Sequence, residues 1–422
     1  MRALIIENDP AVCTALETAL KDFKDREKAS DRASALERFE GSVADKHFFD
    51  LVVVDIDTPG IQDDSIIVEL RQIEEKHRVA PEKLACLIVI SASHSQQLLT
   101  DCVFGGCNGI IGKPVAPDQV LEKLSQLNLT ADPQPPGNSL LTRITAKELS
   151  NSIIKRIDRG DLELPPAPKI AIRIRQLVDL NADIDEVIKL LKHDLSISTQ
   201  LIRTSNSVAY GGFEKNLSIG QAVRRLGIDR SVEVVMAICC RGYFVTNHPD
   251  YKKLVEDLWW HSLACAHAAK LIAGHKKVDV EEDLFALGLL HDIGKLILIQ
   301  AASNLQMPKK SGMDIEPEAL QSMLTDFHGQ IGMRILRKWG YSKAFAALIQ
   351  HHRVKVESSP SPVMQVLHEA DLLAVVAGFG YGAIDSNEAA EQLKELGYIP
   401  TLQNDLVAQI SAHIEQLRYS FG

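Results

Sequence analysis

The sequence predicts two domains, a doubly wound α/β domain with a parallel sheet followed by an all-α helical bundle. Three observations support this prediction. Short apolar runs alternate with amphipathic segments in the first part of the chain. A segment rich in proline and glycine interrupts this pattern at 130–141. From Leu164 onward, helical periodicity dominates and little strand signal remains.

The apolar runs of the first part are short and bounded by polar residues, which is typical of buried parallel strands. They lie at Ala3–Ile6, Leu51–Val54, Leu87–Ile90 and Gly109–Ile111. Helical patterns between them include Pro10–Phe23 and Ser34–Phe39. Asp9 before Pro10 is an N-cap followed by proline at the first helical position. Alternating strands and helices predict a parallel sheet with helices on both faces.

The second part begins with a capping box, since Glu148 follows Thr145 by three residues. Further helices are predicted at Ile184–Lys192, Leu217–Leu226, Tyr251–Ala273, Glu282–Ala302, Phe327–Trp339 and Ser342–His352. We therefore predict an α/β domain at 1–127, a Pro-rich linker at 128–143, a helical domain at 144–375 and a C-terminal helical extension at 376–422.

Composition limits the class of protein. Of 422 residues, 45% are hydrophobic and 24% are charged, as in soluble globular proteins. A net charge of -10 argues against a general binder of nucleic acid or anionic membranes. No uninterrupted apolar run is long enough to span a membrane, and MRALIIENDP is too acidic for a signal peptide. Seven scattered cysteines without a C-x-x-C pair favour a reducing cytoplasm.

Polar side chains follow the predicted strands where each strand ends. Glu7 and Asn8 follow the first strand, Asp55 the second, Ser91 the third and Lys113 the last. These strand ends meet at one edge of a parallel sheet. An aspartate there, with a divalent cation, a hydroxyl and a lysine, can accept a phosphoryl group. The alternative is that Asp55 and Lys113 merely form a salt bridge at the sheet edge.

The first 125 residues resemble the receiver domain of bacterial response regulators. The motif VVVDIDTPG around Asp55, the hydroxyl of Ser91 and the Lys113-Pro114 pair carry the resemblance. It implies a five-stranded parallel sheet and phosphorylation of Asp55 by a sensor histidine kinase. It also implies that Ser91 and Lys113 assist this transfer, the lysine being joined to its proline by a peptide that is often cis.

The resemblance further implies a Mg²⁺ site formed by Glu7, Asn8 and the backbone carbonyl of Asp57. Two residues depart from the receiver pattern. Asn8 stands where a second acid is usual, which weakens a site for a hard cation. Ile110 stands where a switching aromatic is usual. A phosphate-independent receiver used for dimerisation is the alternative.

The second part contains a group of metal-type ligands. The segment HDIGK places His291, Asp292 and Lys295 among leucines, where a His-Asp pair is costly to bury unless both groups are satisfied. A metal ion would satisfy them, because imidazole and carboxylate bind iron, zinc or manganese. Further ligand types lie on predicted helices at His261, His328, His351, His352 and Asp371.

These seven side chains could hold one metal ion, or two bridged by Asp292, in a helical bundle. Such a centre can activate water for phosphoester hydrolysis, with Lys295 assisting the leaving oxygen. The alternative is a degenerate site whose buried histidines are satisfied by one another, by carbonyls or by water.

Residues 155–375 resemble the HDOD branch of the HD metal-phosphohydrolase superfamily. The segments TSNS at Thr204–Ser207, RRLG at Arg224–Gly227 and HDIGK carry the resemblance. It implies a role in bacterial signalling, in a branch that often lacks the metal ligands. No GYP loop follows His352, which weakens a specific role in cyclic di-GMP hydrolysis.

The combined hypothesis is a cytoplasmic two-component response regulator. Its receiver would control an HDOD module that binds a signalling protein partner. The alternative output is a metal-dependent phosphohydrolase acting on a nucleotide or cyclic dinucleotide. The helical tail could also support a homodimer.

Overall fold

The computed structural model describes the chain with the exception of short segments. Those outside the description are residues 62–64, 81–82, 94–97, 99–100, 103–104, 128, 130–144, 161, 163, 181, 208–209, 211–214, 247, 307–314, 316, 353–360, 383 and 422. The predicted linker at 128–143 lies outside the described residues except for Leu129.

A five-stranded sheet forms the centre of the N-terminal region. Its strands are Arg2–Ile6 (β1), Asp25–Ala29 (β2), Leu51–Asp55 (β3), Cys86–Ser91 (β4) and Gly109–Gly112 (β5). The strand order is β2-β1-β3-β4-β5, and all four pairings are parallel. Every residue of β3 is buried, as expected for a central strand covered on both faces. The predicted doubly wound parallel sheet is confirmed.

Helices pack against this sheet, and their apolar side chains form a buried core with those of the strands. They are Pro10–Ala19 (α1), Arg32–Ala44 (α2), Ser65–Lys76 (α3) and Pro117–Gln126 (α4). Leu16 of α1 and Leu124 of α4 pack in one buried cluster with Ile5, Val53 and Ile88 of the sheet. The α1 helix begins at the predicted cap, because the Asp9 side chain accepts the backbone N–H groups of residues 11 and 12.

The rest of the chain is helical in its described residues. The helices are Ala146–Arg159 (α5), Lys169–Asp179 (α6), Ile184–Leu191 (α7), Leu195–Ser205 (α8), Ile219–Leu226 (α9), Ile228–Arg241 (α10), Lys252–Lys276 (α11), Leu284–Leu290 (α12), Ile293–Gln306 (α13), Pro317–Asp326 (α14), His328–Lys338 (α15), Lys343–His351 (α16), Pro362–Ala374 (α17), Ser386–Glu395 (α18) and Pro400–Phe421 (α19). A 3₁₀ turn spans Pro249–Tyr251, and a π-helical turn spans Val375–Phe379.

The chain divides into two compact units. The first comprises Met1–Leu162 and Gln300–Met323, and the second comprises Glu163–Ile299 and Leu324–Gly422. Helix α5 begins at the predicted capping box and belongs to the first unit. There, Ser152 Oγ donates to Asp101 Oδ1 at 2.5 Å, and the Arg156 guanidinium donates to the Asp101 carbonyl at 2.6 Å. The predicted domain boundaries remain predictions.

Two helical segments are long and apolar enough to cross a membrane by length and composition alone. They are Leu284–Asn304 and Pro362–Phe379. The first is 94% buried inside the protein, as is usual for the core helix of a globular domain. The apolar composition of Leu284–Asn304 is therefore explained by its position in the core of the helical bundle.

Candidate functional site

The carboxyl edge of the N-terminal sheet brings an aspartate and a lysine together. Asp55 ends β3 and is fully buried, and its Oδ2 lies 2.6 Å from the Nζ of Lys113, which follows β5. The Lys113–Pro114 peptide is cis. Asp57 is more exposed, and its Oδ2 lies 3.5 Å from the same Nζ. The lysine thus faces two carboxylates.

Glu7 supplies a further buried carboxylate at this edge. Its Oε1 accepts the backbone N–H groups of Asn8 and Asp9, both at 2.7 Å, and the Thr58 hydroxyl at 3.2 Å. Burial and the Glu7 carboxyl raise the pKa of Asp55 to about 7, although Lys113 opposes this change. Two buried carboxyl groups beside one ammonium leave the edge rich in negative charge, which suits a divalent cation.

The remaining predicted residues of this edge are also placed by the structure. Ser91 is buried at the end of β4, and its hydroxyl donates to Asp57 Oδ1 at 3.3 Å. The backbone N–H of Ala92 donates to Asp57 Oδ2 at 2.5 Å. Asn8 is exposed. The Asp57 side chain therefore anchors the loop after β4, a role that the sequence analysis did not anticipate.

The second site forms where a predicted helix is interrupted. We expected one helix over Glu282–Ala302, but α12 ends at Leu290 and α13 begins at Ile293. His291 and Asp292 form the turn between them, and His291 Nδ1 lies 2.7 Å from the Gly288 carbonyl oxygen. The turn frees both side chains to face the same point, which adjacent residues on a continuous helix could not do.

Asp292 lies at the centre of a ring of imidazoles. Its carboxylate oxygens lie 3.3–3.6 Å from four Nε2 atoms, those of His261, His291, His328 and His352. All five residues are buried. His261 Nε2 also lies 3.2 Å from Asp371 Oδ1. Six of the seven predicted metal-type side chains therefore converge.

The hydrogen bonds of the imidazoles define which nitrogen faces the centre. The Nδ1 atoms of His261, His291 and His352 lie 2.7–2.8 Å from backbone carbonyl oxygens. A carbonyl can only accept, so Nδ1 carries the proton and, in the neutral ring, Nε2 keeps its lone pair. Lone pairs aimed at a carboxylate repel it unless a cation or extra protons intervene. This donor set fits a metal ion, whose histidine ligands are usually oriented in this way.

Lys295 supplies the one ammonium seen among the described residues of this centre. It is 2% exposed, and its Nζ lies 2.5 Å from Asp292 Oδ2. Burial would raise the pKa of Asp292, but the neighbouring His291 and Lys295 hold it well below its usual range. The aspartate is therefore ionised, and part of its charge is already balanced by the lysine.

Two glycines let the surrounding helices approach this turn. A Cβ at Gly288 would lie 2.6 Å from the Ala266 Cα of α11, and one at Gly294 would lie 1.9 Å from the His328 carbonyl oxygen. Either side chain would push a ligand-bearing helix away. The sequence L-G-L-L-H-D-I-G-K therefore encodes the convergence as well as the ligands.

Two residues differ from the predicted arrangement. His351 is exposed at the end of α16, and the structure does not bring it into the centre. Cys265, one turn after His261, can form a metal-binding group with His261, His291 and Asp371. His291, Asp292 and His352 form a second such group, and in each group the ligand atoms lie within 4.8 Å of one another. The spacing of four residues between His261 and Cys265 on one helix could have revealed the cysteine.

The TSNS segment has a structural role in its described residues. The Asn206 side chain donates to the Asn216 carbonyl and accepts its backbone N–H, at 2.9 and 2.7 Å. The Asn216 side chain in turn donates to the Ser205 hydroxyl. These bonds pin together the two ends of the segment between α8 and α9.

Comparison with known proteins assigns both regions to families. The family model of the response regulator receiver domain matches residues 3–125, and that of the HDOD domain matches residues 164–354. An uncharacterized curated relative from Treponema pallidum (strain Nichols) is 24% identical over 227 residues, which cover 51% of this chain. The match spans 42% of the length of that relative.

One solved structure shares the fold over about two thirds of the chain, and a second is similar to it at a lower score. A candidate metal-dependent phosphohydrolase from Shewanella amazonensis SB2B is 18% identical, with a TM-score of 0.50, over 64% of this chain and 99% of its own. An HDOD domain protein of unknown function from Geobacter sulfurreducens is 22% identical, with a TM-score of 0.49, over 65% of this chain and 97% of its own. The chain therefore combines an N-terminal response regulator receiver domain with a C-terminal HDOD domain.

Proposed function

We propose that this chain is a cytoplasmic response regulator in which phosphorylation of Asp55 controls the HDOD domain as a signalling module. The phosphoryl donor is a sensor histidine kinase, and the output is binding of a signalling protein. The observation that carries the proposal is the buried Asp55 carboxylate, held 2.6 Å from Lys113 at the carboxyl edge of the sheet.

Each residue of this edge has a role in the proposed transfer. Asp55 is the nucleophile, and the Lys113 ammonium offsets charge on the phosphoryl oxygens. The Ser91 hydroxyl can turn from Asp57 to a phosphoryl oxygen, which would remove one of the two hydrogen bonds that this segment makes to Asp57. Glu7, Asn8 and the Asp57 carbonyl would hold Mg²⁺, and the bound ion would supply further positive charge. The Asp57 carboxylate adds a negative charge to an edge in which Asn8 supplies none.

Acetyl phosphate with Mg²⁺ tests this proposal on the full chain. We expect intact-mass measurement to show one phosphoryl adduct on the wild type and none on Asp55→Asn. Asp118→Asn is the matched control, because Asp118 is exposed in the first turn of α4. An equal adduct on Asp55→Asn would contradict phosphorylation of the receiver at Asp55. Size-exclusion chromatography of the same samples shows whether the adduct changes the oligomeric state.

A second candidate output is hydrolysis of a nucleotide or cyclic dinucleotide at the HD centre. The observation that favours it is the set of Nε2 lone pairs facing Asp292, which fits a metal ion better than a dry structural core. His261, His291, Asp292, His352 and Asp371 would hold the metal. A bound ion would lower the pKa of a water molecule and make it nucleophilic. Lys295, 2.5 Å from Asp292, holds a proton that can pass to the leaving oxygen.

Elemental analysis and phosphoester turnover separate the two outputs. For the hydrolase we expect tightly held metal and turnover that both His291→Ala and Asp292→Ala abolish. His275→Ala is the matched control, because His275 is exposed near the end of α11. For the module alone, we expect partner binding that survives His291→Ala and no stoichiometric metal after reconstitution with iron, manganese or zinc.

A further inference from the structure

Tyr381 has a buried hydroxyl group with no hydrogen-bond partner in the part of the chain that the structure describes. The residue is 8% exposed. Burying a hydroxyl without a partner is costly. A water molecule or a ligand oxygen can supply the partner that the described residues do not.

The ring of Tyr381 packs against two groups of the HD centre. It lies 5.1 Å from the Nζ of Lys295 and 6.1 Å, between ring centroids, from His261. The π-helical turn Val375–Phe379 precedes it, and the Phe379 carbonyl oxygen of that turn lies 2.8 Å from His261 Nδ1. One short segment therefore both orients a ligand histidine and places the phenol beside it.

The chemistry of the phenol and of its neighbours defines which hydrogen-bonding role is open to Tyr381. A phenol has an ordinary pKa of about 10, so it is protonated at neutral pH and can donate. Beside it, Lys295 adds a buried ammonium. An unused donor next to an ammonium favours an anionic oxygen, and phosphoryl oxygens are strong acceptors of this kind.

We propose that the Tyr381 hydroxyl donates a hydrogen bond to a phosphoryl oxygen bound at the HD centre, which makes Tyr381 a ligand-binding residue. This inference rests on the second candidate output, because it needs a phosphoryl ligand at that centre. It assigns Tyr381 no part in holding the metal. Removing the hydroxyl should therefore weaken the binding of phosphate without changing the metal content.

Inorganic phosphate is the probe, added to the full chain after reconstitution with Mn²⁺. Calorimetry measures the affinity of wild type, Tyr381→Phe and Tyr341→Phe, and Asp292→Ala reports phosphate bound elsewhere. Tyr341→Phe is the matched control, because its hydroxyl is also buried without a hydrogen-bond partner among the described residues while its ring stacks on Phe345. Elemental analysis and thermal unfolding of each variant accompany the titrations.

We expect Tyr381→Phe to weaken phosphate binding about tenfold or more, with unchanged metal content, while Tyr341→Phe binds as the wild type does. Without phosphate, Tyr381→Phe should unfold at the same or a higher temperature, because the lost hydroxyl had no partner. Binding by Tyr381→Phe as tight as that of the wild type would overturn the role of the tyrosine alone. If wild type binds phosphate no better than Asp292→Ala, both this role and the hydrolase output are overturned.

Discussion

Each unit of the chain contains a fully buried aspartate paired with a lysine, and the groups around the two pairs differ. Asp55 lies 2.6 Å from Lys113, and Asp292 lies 2.5 Å from Lys295. Around Asp55 the next groups are carboxyls, so burial and Glu7 raise its pKa to about 7. Around Asp292 the next groups are imidazoles, which together with Lys295 lower its pKa well below the usual range despite its burial.

The comparison shows that an Asp–Lys pair does not by itself define a chemistry. The receiver edge has more negative than positive charge, which suits a hard cation and an incoming phosphoryl group. The HD centre combines the ionised Asp292 carboxylate with several nitrogen lone pairs, which suit a transition metal. The neighbours of each pair therefore determine what the site can bind, and changing a neighbour or a partner tests this distinction.

The largest expected effect comes from removing the two lysines in turn. Lys295→Met leaves an ionised, buried Asp292 without its ammonium, so we expect the free energy of unfolding to fall by about 3–5 kcal/mol. Lys113→Met should cost about 1 kcal/mol, because Asp55 can take up a proton near neutral pH. All three tryptophans, Trp259, Trp260 and Trp339, lie in the HDOD unit, so their fluorescence during urea unfolding reports on that unit.

Lys270→Met is the control for the loss of a charge on the HDOD unit. Lys270 is 43% exposed and pairs with Glu233 at 3.2 Å, so its removal should change the free energy of unfolding little. Equal losses for Lys295→Met and Lys113→Met, with hydrogen exchange reporting on the receiver, would contradict the proposed difference between the two pairs.

A second test uses a substitution that moves the helices bearing the HD ligands apart and leaves every ligand residue unchanged. In Gly294→Ala the new Cβ would lie 1.9 Å from the His328 carbonyl oxygen, so α13 and α15 must move apart. We expect a loss of about 1–3 kcal/mol in unfolding free energy and reduced metal uptake. Gly274→Ala is the matched control, because nothing lies within 4 Å of a Cβ at that helical position. There, alanine should stabilise α11 by up to about 1 kcal/mol.

The same elements show what sequence patterns can and cannot reveal. The apolar strands β1, β3, β4 and β5 were predicted from their runs of buried residues. β2 has the sequence DREKA, and its alternately exposed polar residues at the sheet edge give no apolar signal. The interruption of the helix at His291 and Asp292 was missed as well, because the apolar periodicity continues across it.

At the HD centre, the residue types in the sequence were enough to predict most of the site, whereas its geometry could not be predicted. Histidines and aspartates at separate helices indicated a common site, and the structure brings six of the seven together. Cys265 and Tyr381 were missed because cysteine and tyrosine are common core residues. Cys265 lies one turn after His261 on the same helix, whereas only the tertiary structure places Tyr381 beside His261. His351 is adjacent to His352, but adjacent helical residues point in different directions.

A third test concerns the proton on Asp55. Because its pKa is raised, ionisation of Asp55 destabilises the folded receiver progressively as the pH rises from about 4 to about 7. Asp55→Asn should therefore stabilise the receiver by about 1–2 kcal/mol at pH 8, an amount reduced for solvent screening, and less at pH 5. Hydrogen exchange in peptides of β1 and β3 measures this change. Mg²⁺ should stabilise the wild type more than the variant, and a Mg²⁺ effect of equal size in both would contradict a cation bound beside Asp55.

The smallest effect tests whether the two units respond to acid in opposite ways. In the HDOD unit, the rings of His267 and His413 stack with centroids 3.7 Å apart. Burial, with the neighbouring His413 charge, lowers the pKa of His267 to about 2, and burial with Arg230 lowers that of His413 to about 4. Below about pH 6.5 these histidines bind protons in the unfolded chain but remain neutral in the folded unit. The free energy of unfolding therefore decreases as the pH is lowered, by roughly 1 kcal/mol per pH unit for each histidine.

His413→Phe should keep the stacking and remove about half of that pH dependence, as measured by tryptophan fluorescence in urea at pH 5.5 and 7. His275→Gln is the control, because the exposed His275 makes no such stack among the described residues. Acidification protonates Asp55 and so stabilises the receiver. It destabilises the HDOD unit, because the folded His267–His413 pair stays neutral while the unfolded histidines bind protons. A pH slope of the same sign in both units would mean that neighbouring charges, and not these two groups, control the acid response.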